Sequence, residues 1–194
     1  MLQLRYADVV GALRERLATR QRLALDWPEA RSAAVAVLLV DRDGAPHLPL
    51  IVRGADAPTH SSQIALPGGK CEPFDASPAA TAAREAFEEL GIDPARLDVL
   101  GVLDDVPTPT GFVITPVVAA LGADDALYRP NPTEVAAMFE APLALFVDRA
   151  AAEFLGEREW RGTKYTLRAY PFGEHRIWGA TARILEGLVD ALTA

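Results

Sequence analysis

The chain has one cysteine, Cys71, no cluster of Lys and Arg, and no apolar run longer than Ala33 to Val40. A single thiol excludes an intramolecular disulfide and suits a reducing compartment. An apolar run that short cannot span a bilayer. The formal charge of −8 at pH 7, with no local basic patch, argues against a nucleic-acid or anionic-membrane partner. Near the N-terminus, Arg5, Asp8, Arg14, Glu15 and Arg16 interrupt the continuous apolar core that a signal peptide needs, so a cytoplasmic location is expected. Apolar residues make up 50% of the 194, enough for one substantial core. Cys71 has no paired base in the sequence and is assigned no role.

Against these absences stands one dense feature. A glycine turn, Leu66-Pro-Gly-Gly-Lys70, is followed by Arg84-Glu-Ala-Phe-Glu-Glu-Leu-Gly91. Between them Ser77 is a good N-cap, Pro78 suits the first helical position, and Gly91 supplies a left-handed stop. The pattern predicts a helix from about Ser77 to Leu90. At helical spacing Ala79, Ala83, Ala86, Phe87 and Leu90 form a packing face, with Glu85, Glu88 and Glu89 opposite.

That acidic face violates two local preferences. The three glutamates lie within about one turn of each other, and Glu88 and Glu89 crowd the negative end of the helix dipole. Each conflict costs roughly 0.2–1 kcal/mol unless a cation is near. Arg84 reaches Glu88 four residues on, and a divalent cation would relieve the rest. Taken alone, such a helix also describes an ordinary solvated face. The glycine turn beside it tips the reading toward metal and phosphate chemistry.

These residues resemble the signature of the Nudix hydrolase family. Arg84-Glu-Ala-Phe-Glu-Glu-Leu-Gly-Ile92 matches its second half at every position. The first half departs: one extra residue separates Gly69 from Arg84, and Asp75 stands where a Glu is usual. The insertion precedes Ser77, so it is expected to lengthen the loop and leave the helix in register. The resemblance implies Mg²⁺ or Mn²⁺ held by Glu85, Glu88 and Glu89 with the Gly68 carbonyl, and Arg84 bracing the carboxylates. It also implies attack of a metal-activated water on a P–O–P bridge. The proton acceptor is open between Glu85, Glu88 and Glu134, the last resembling an acid that many family members present from a later strand or loop.

A second set of residues is similar to the coenzyme A diphosphatase branch. Leu50-Ile-Val-Arg53 is followed by Thr59-His60-Ser-Ser-Gln63-Ile-Ala65 and the Pro-Gly-Gly turn. Arg53, His60, Gln63, Gly69 and Lys70 are the implied substrate-binding residues. Pro58, Ser62 and Leu66 depart from that branch, which usually has Arg, Gly and Phe there. Gly101 to Asp105, Thr108 to Pro116 and Ile177 to Arg183 add to the resemblance. The implied reaction cleaves coenzyme A or a derivative to 4′-phosphopantetheine and adenosine 3′,5′-bisphosphate. ADP-ribose or a dinucleotide is the alternative substrate, and a non-catalytic nucleotide-binding module the alternative class. A homodimer is left open.

The expected fold class is α/β (α+β), an α/β/α sandwich with a mixed sheet and a glycine loop leading to the acidic helix. Residues 1–30 read as a helical lead-in packed on the domain, with a helix from about Asp8 to Ala18, and residues 31–194 as the Nudix-like domain. Ala33 to Val40 and Leu48 to Val52 read as strands joined by a turn at Asp41 to Gly44. Val99 to Leu103 and Val113 to Leu121 read as further strands. Glu153 to Trp160 and Tyr165 to Tyr170 read as a hairpin around Arg161-Gly162. Ile177 and Trp178 read as the opening of a C-terminal helix carrying Ile184, Leu185, Leu188 and Leu192 at core spacing.

Overall fold

The structure, a computed structural model, describes residues 4–54, 63–122, 127–160 and 162–193. Helix α1 spans Tyr6–Thr19, α2 Pro78–Leu90 and α3 Gly179–Thr193. The strands are β1 Arg31–Arg42, β2 Ala45–Arg53, β3 Ile64–Ala65, β4 Gly68–Lys70, β5 Asp98–Val102, β6 Val106–Pro107, β7 Phe112–Leu121, β8 Val135–Pro142, β9 Glu153–Trp160, β10 Thr163–Phe172 and β11 His175–Trp178. The architecture is the expected mixed one, with helices on both faces of a mixed sheet.

β1 is the spine of this sheet. It runs parallel to β7 along one edge, from Arg31↔Phe112 to Val40↔Leu121. Its other edge is shared: residues 40–42 pair with β2, and Ala33 to Val35 pair with β4. The β1–β2 hairpin therefore closes at its turn and opens toward its far end. The turn needs positive φ at both central positions, and Asp43 (54°) and Gly44 (81°) supply it. Into the open end go β3, paired with β2, and β4, paired with β1. This opening seats the Pro-Gly-Gly turn inside the sheet.

Both faces of β1 are buried, and alternation sorts its side chains. Ala34, Ala36, Leu38 and Val40 meet Ala82, Ala86 and Leu90 of α2. Val37 and Leu39 face the other way, into a core with Val9, Leu13 and Leu17 of α1 and Ile184, Leu185 and Leu188 of α3. A smaller antiparallel sheet, β9–β10–β11, joins that second core through Tyr170 and Ile177.

Two expectations are corrected. Ile177 and Trp178 end strand β11 instead of opening the helix, because they pair with Tyr170 and Ala169 and the chain turns into α3 only at Gly179 (φ 68°). β8, which pairs along β2, has no counterpart among the sequence-based strands. Its burial pattern shows no clean alternation, since Ala136 and Ala137 are both exposed, and the two-residue signal fails there.

The residues after α1 are fastened by carboxylates. Arg22 makes a two-point contact with the buried Asp105, at 3.1 and 2.8 Å, and Asp105 also accepts from the Leu25 amide at 3.0 Å. Asp104 accepts from the Leu23 amide at 2.8 Å. Asp104 and Asp105 thus hold residues 20–25 against the turn between β5 and β6.

Candidate active site

Helix α2 forms for local reasons. The Ser77 hydroxyl accepts from the Ala80 amide at 3.2 Å, Pro78 occupies the first turn, and Gly91 closes the helix at φ 69°. Its faces differ from the expected division. Glu89 is buried, 1% exposed, and Phe87 is 55% exposed. The reason is tertiary: the edge of α2 that carries Glu89 lies against the glycine turn, while among the described residues no element covers Phe87. Glu89 accepts a hydrogen bond from the Gly68 amide at 2.9 Å.

Both glycines of the turn are required by close approach. A Cβ on Gly68 would sit 2.5 Å from the Ala34 carbonyl oxygen, and one on Gly69 would sit 2.5 Å from Cδ of Glu85. The turn therefore presses directly on the carboxylates of α2. Burial pushes the Glu89 carboxyl up to about 7, against the lowering effect of the Gly68 amide. Burial also raises Glu85, less than fully offset by Arg84.

Arg84 ties the loop to the helix. Its guanidinium contacts both oxygens of Asp75 at 3.1 and 3.0 Å, Glu85 and Glu88 at 2.8 Å each, and the Lys70 carbonyl at 3.0 Å. These bonds hold Asp75 well below the usual carboxylate range and lift Arg84 further above its own. Asp75, displaced in the sequence by the extra residue, also accepts from the Thr81 hydroxyl at 2.9 Å. The longer loop thus still delivers an acid to Arg84.

Glu134 arrives from elsewhere in the chain. At the end of α2 the Leu90 carbonyl accepts from the Arg129 amide at 2.7 Å and the Glu89 carbonyl from the Asn131 amide at 2.9 Å, which latches the 129–134 segment to the helix. Asn131 then donates to Glu134 at 3.2 Å, and the Glu134 carbonyl accepts from Gly54 at 2.9 Å. Glu134 is exposed, and its negative charge helps to raise both Glu85 and Glu89.

A cleft of about 820 Å³ opens beside the turn. Arg53, Gln63, Gly68, Gly69, Lys70 and Glu134 line one side; Tyr165, Trp178 and Arg183 line another. Its size is that of sites for small organic ligands. His60, the remaining sequence candidate, lies outside the described residues. Arg158 and Tyr165 were not singled out in the sequence, and Arg183 entered only as the last residue of the Ile177 to Arg183 stretch, with no role assigned. They come from the smaller sheet and α3, and no spacing along the chain announces that these elements border the glycine turn.

Among the described residues, no three acidic, His or Cys groups converge as a ready-made metal cluster. Glu85 and Glu88 turn onto Arg84, and Glu89 turns inward to Gly68. The donors nevertheless suit a hard divalent cation: all are oxygens, and Glu85 and Glu89 stand one helical turn apart with more negative charge than Arg84 offsets.

A mixed sheet between helices, with a glycine turn pressed onto an acidic helix, defines the class, and comparison with known proteins names it. The model of the NUDIX domain matches residues 30–158, and this chain belongs to the Nudix hydrolase family. It is 37% identical over 158 residues to Nudix hydrolase NudL of Escherichia coli (strain K12), covering 81% of each chain. It is 40% identical over 158 residues to NudL of Cronobacter sakazakii, again covering 81% of each. It is 36% identical over 162 residues to Nudix hydrolase 15, mitochondrial, of Arabidopsis thaliana, covering 80% of this chain and 56% of that one. The chain spans about half the length of the plant relatives it matches. In fold it is similar to a MutT/nudix family protein from Enterococcus faecalis (TM-score 0.54, 18% identity, 86% of this chain and 63% of that one). It is likewise similar to the M. smegmatis Nudix hydrolase RenU (TM-score 0.51, 23% identity, 61% and 74%). No helix among the described residues is long and apolar enough to cross a membrane.

Proposed function

We propose that this chain is a metal-dependent diphosphatase of a nucleoside diphosphate derivative, with coenzyme A or a derivative as substrate and 4′-phosphopantetheine and adenosine 3′,5′-bisphosphate as products. The observation that carries the reading is the Gly68–Gly69 turn, seated on Glu85 and Glu89 and opening onto a cleft bordered by Arg53 and Lys70. Residues 31–194 form the catalytic domain in this reading, with 1–30 as its lead-in.

Glu85, Glu88, Glu89 and the Gly68 carbonyl would hold Mg²⁺ or Mn²⁺. The cation would lower the pKa of an attacking water and neutralise charge on the phosphoryl oxygens. Arg84 braces the loop and the helix by spanning Asp75, Glu85 and Glu88 at once, and Glu85 and Glu88 would turn from it to share the cation. Arg53, Lys70 and the backbone at Gly69 receive the diphosphate, and Gln63, which lines the same cleft, contacts the substrate beside it; a substrate role for His60 rests on the sequence resemblance alone. Glu134 takes the proton. It is exposed at the cleft, whereas Glu85 and Glu88 are occupied by the Arg84 guanidinium or the cation.

The test is a mass-spectrometric assay of coenzyme A, ADP-ribose and NADH at matched concentrations, with and without Mg²⁺ or Mn²⁺. Formation of phosphopantetheine and adenosine bisphosphate only with metal, faster than the other two substrates react, supports the reading. Equal or better turnover of ADP-ribose or NADH removes coenzyme A as the substrate. In a parallel assay, Glu134→Gln should lose turnover by on the order of a hundredfold or more while metal affinity is kept.

A further inference from the structure

Arg53, Arg158 and Arg183 all line the cleft, and none has a carboxylate at ion-pairing distance among the described residues. Elsewhere arginines are used differently: Arg22, Arg42 and Arg84 each span a carboxylate. In a chain of net charge −8, a cleft lined by these arginines and Lys70, with Glu134 as its acidic member, selects an anionic ligand.

Arg183 is the most constrained of the three. Its guanidinium lies over the Tyr165 ring, 4.1 Å from the centroid. Among the described residues its one hydrogen bond is long, 3.4 Å from Nη1 to the Pro107 carbonyl. A guanidinium has five N–H donors, so most of this fork is unspent. Glu186, the nearest acid on the same helix, is already held by the Tyr170 hydroxyl at 2.7 Å and by Arg168 at 3.3 Å. Burial pulls Arg183 below the ordinary arginine value, whereas the carboxylate-paired Arg42 and Arg84 are raised.

Sheet register fixes where this fork sits. Lys70, Ala33, Ile114 and Val106 lie in one row across β4, β1, β7 and β6. Pro107 follows Val106 on β6, so the carbonyl that Arg183 touches is three strand spacings from the glycine turn, about 14 Å between backbones. Side chains reaching in from both sides shorten that gap, and it still separates two cationic points within one cleft.

We propose that Arg183, held flat on Tyr165, is a specificity residue for a second anionic group of the substrate: a phosphate monoester set apart from the diphosphate received at the glycine turn. This deepens the diphosphatase reading and rests on it for the first anionic point. A planar fork on an aromatic platform binds phosphate at two points with little loss of freedom. Nucleoside diphosphate derivatives that carry an additional phosphate are then preferred over those that lack it.

The test uses binding, so that it does not depend on turnover. The full chain, R183Q and R183K are titrated calorimetrically with adenosine 3′,5′-bisphosphate and with adenosine 5′-monophosphate, each variant first shown to melt like the parent. The parent should bind the bisphosphate more tightly by on the order of tenfold. In R183Q the ratio should fall toward one, and R183K should recover part of it by charge alone. R176Q, at an exposed pair with Glu153, should keep the parent ratio. A parent ratio of one, or an unaltered ratio in R183Q, overturns the proposal. An Arg183-dependent ratio in a protein that fails to cleave any diphosphate would leave the subsite standing and remove the diphosphatase reading. Turnover of coenzyme A with an unaltered ratio in R183Q would do the reverse.

Discussion

Replacing Glu89 by Gln perturbs the most buried charge of the site and nothing else of comparable size. In the folded chain the Glu89 carboxyl titrates near 7, against 4.5 for an ordinary glutamate, chiefly because it is buried. A raised carboxyl pKa means that the folded state binds the proton more tightly than the unfolded chain does. Stability from this group is therefore fully present below pH 4.5 and is lost as pH rises through 7. Integrated over that interval the loss is about 3 kcal/mol in the absence of a cation. Gln accepts from the Gly68 amide as Glu does but has no proton to release, so it escapes the loss. Urea denaturation in EDTA between pH 4.5 and 8 measures it. The two proteins should be close in stability at the acid end, with Glu89→Gln gaining on the parent by about 3 kcal/mol at pH 8. Other carboxylates, such as Asp75, contribute equally to both and cancel. Adding Mg²⁺ or Mn²⁺ at pH 8 should stabilise the parent and leave the variant nearly unmoved. Parallel profiles across the whole range would refute the argument, because they would mean that Glu89 ionises in place without cost.

The two glycines of the turn should separate stability from turnover. Gly68→Ala drives a Cβ into the rigid β1 backbone and should cost about 1–3 kcal/mol in thermal or urea unfolding. Gly69→Ala meets the Glu85 carboxylate, a side chain that can swing away, so its loss should fall on diphosphate hydrolysis, with less than 1 kcal/mol in unfolding. Arg84→Lys replaces a fork spanning three carboxylates with a single ammonium, and kcat/KM should drop by on the order of a hundredfold without loss of fold by circular dichroism. Arg22→Ala leaves the enclosed Asp105 carboxylate without its charge partner. It should cost about 3–5 kcal/mol in urea unfolding, much of which Arg22→Ala/Asp105→Asn should restore.

Legibility followed the range of the forces involved. Helix α2 could be read almost to the residue, because Ser77, Pro78 and Gly91 act within one turn of their own positions. The β1–β2 hairpin was legible from the turn at Asp41 to Gly44, although both strands run two or three residues further into that turn than their apolar runs suggest. What could not be read was anything set by a distant neighbour. Spacing along α2 placed Phe87 on the packing face and Glu89 on the acidic face opposite it. The structure reverses both, because the glycine turn that covers Glu89 is itself held by β1. The Asp104-Asp105 pair looked like part of a substrate motif, and its contacts are with Arg20, Arg22 and the Leu23 and Leu25 amides.

The sequence by itself determined the chemistry on offer: hard oxygen donors on one helix, two adjacent glycines where no Cβ fits, and an arginine placed to bind its neighbours. These are local or compositional properties, and every chain with this stretch carries them. Tertiary structure decided which of the charges are buried, that Glu134 is latched beside the helix through the carbonyls of Leu90 and Glu89, and that Arg183 from the last helix shares a cleft with Lys70. The physical reason is that a hairpin opening at β1, a sheet register and a helix crossing bring together residues more than a hundred positions apart. Solvation and Coulomb terms depend on those distances in space, which no spacing along the chain encodes.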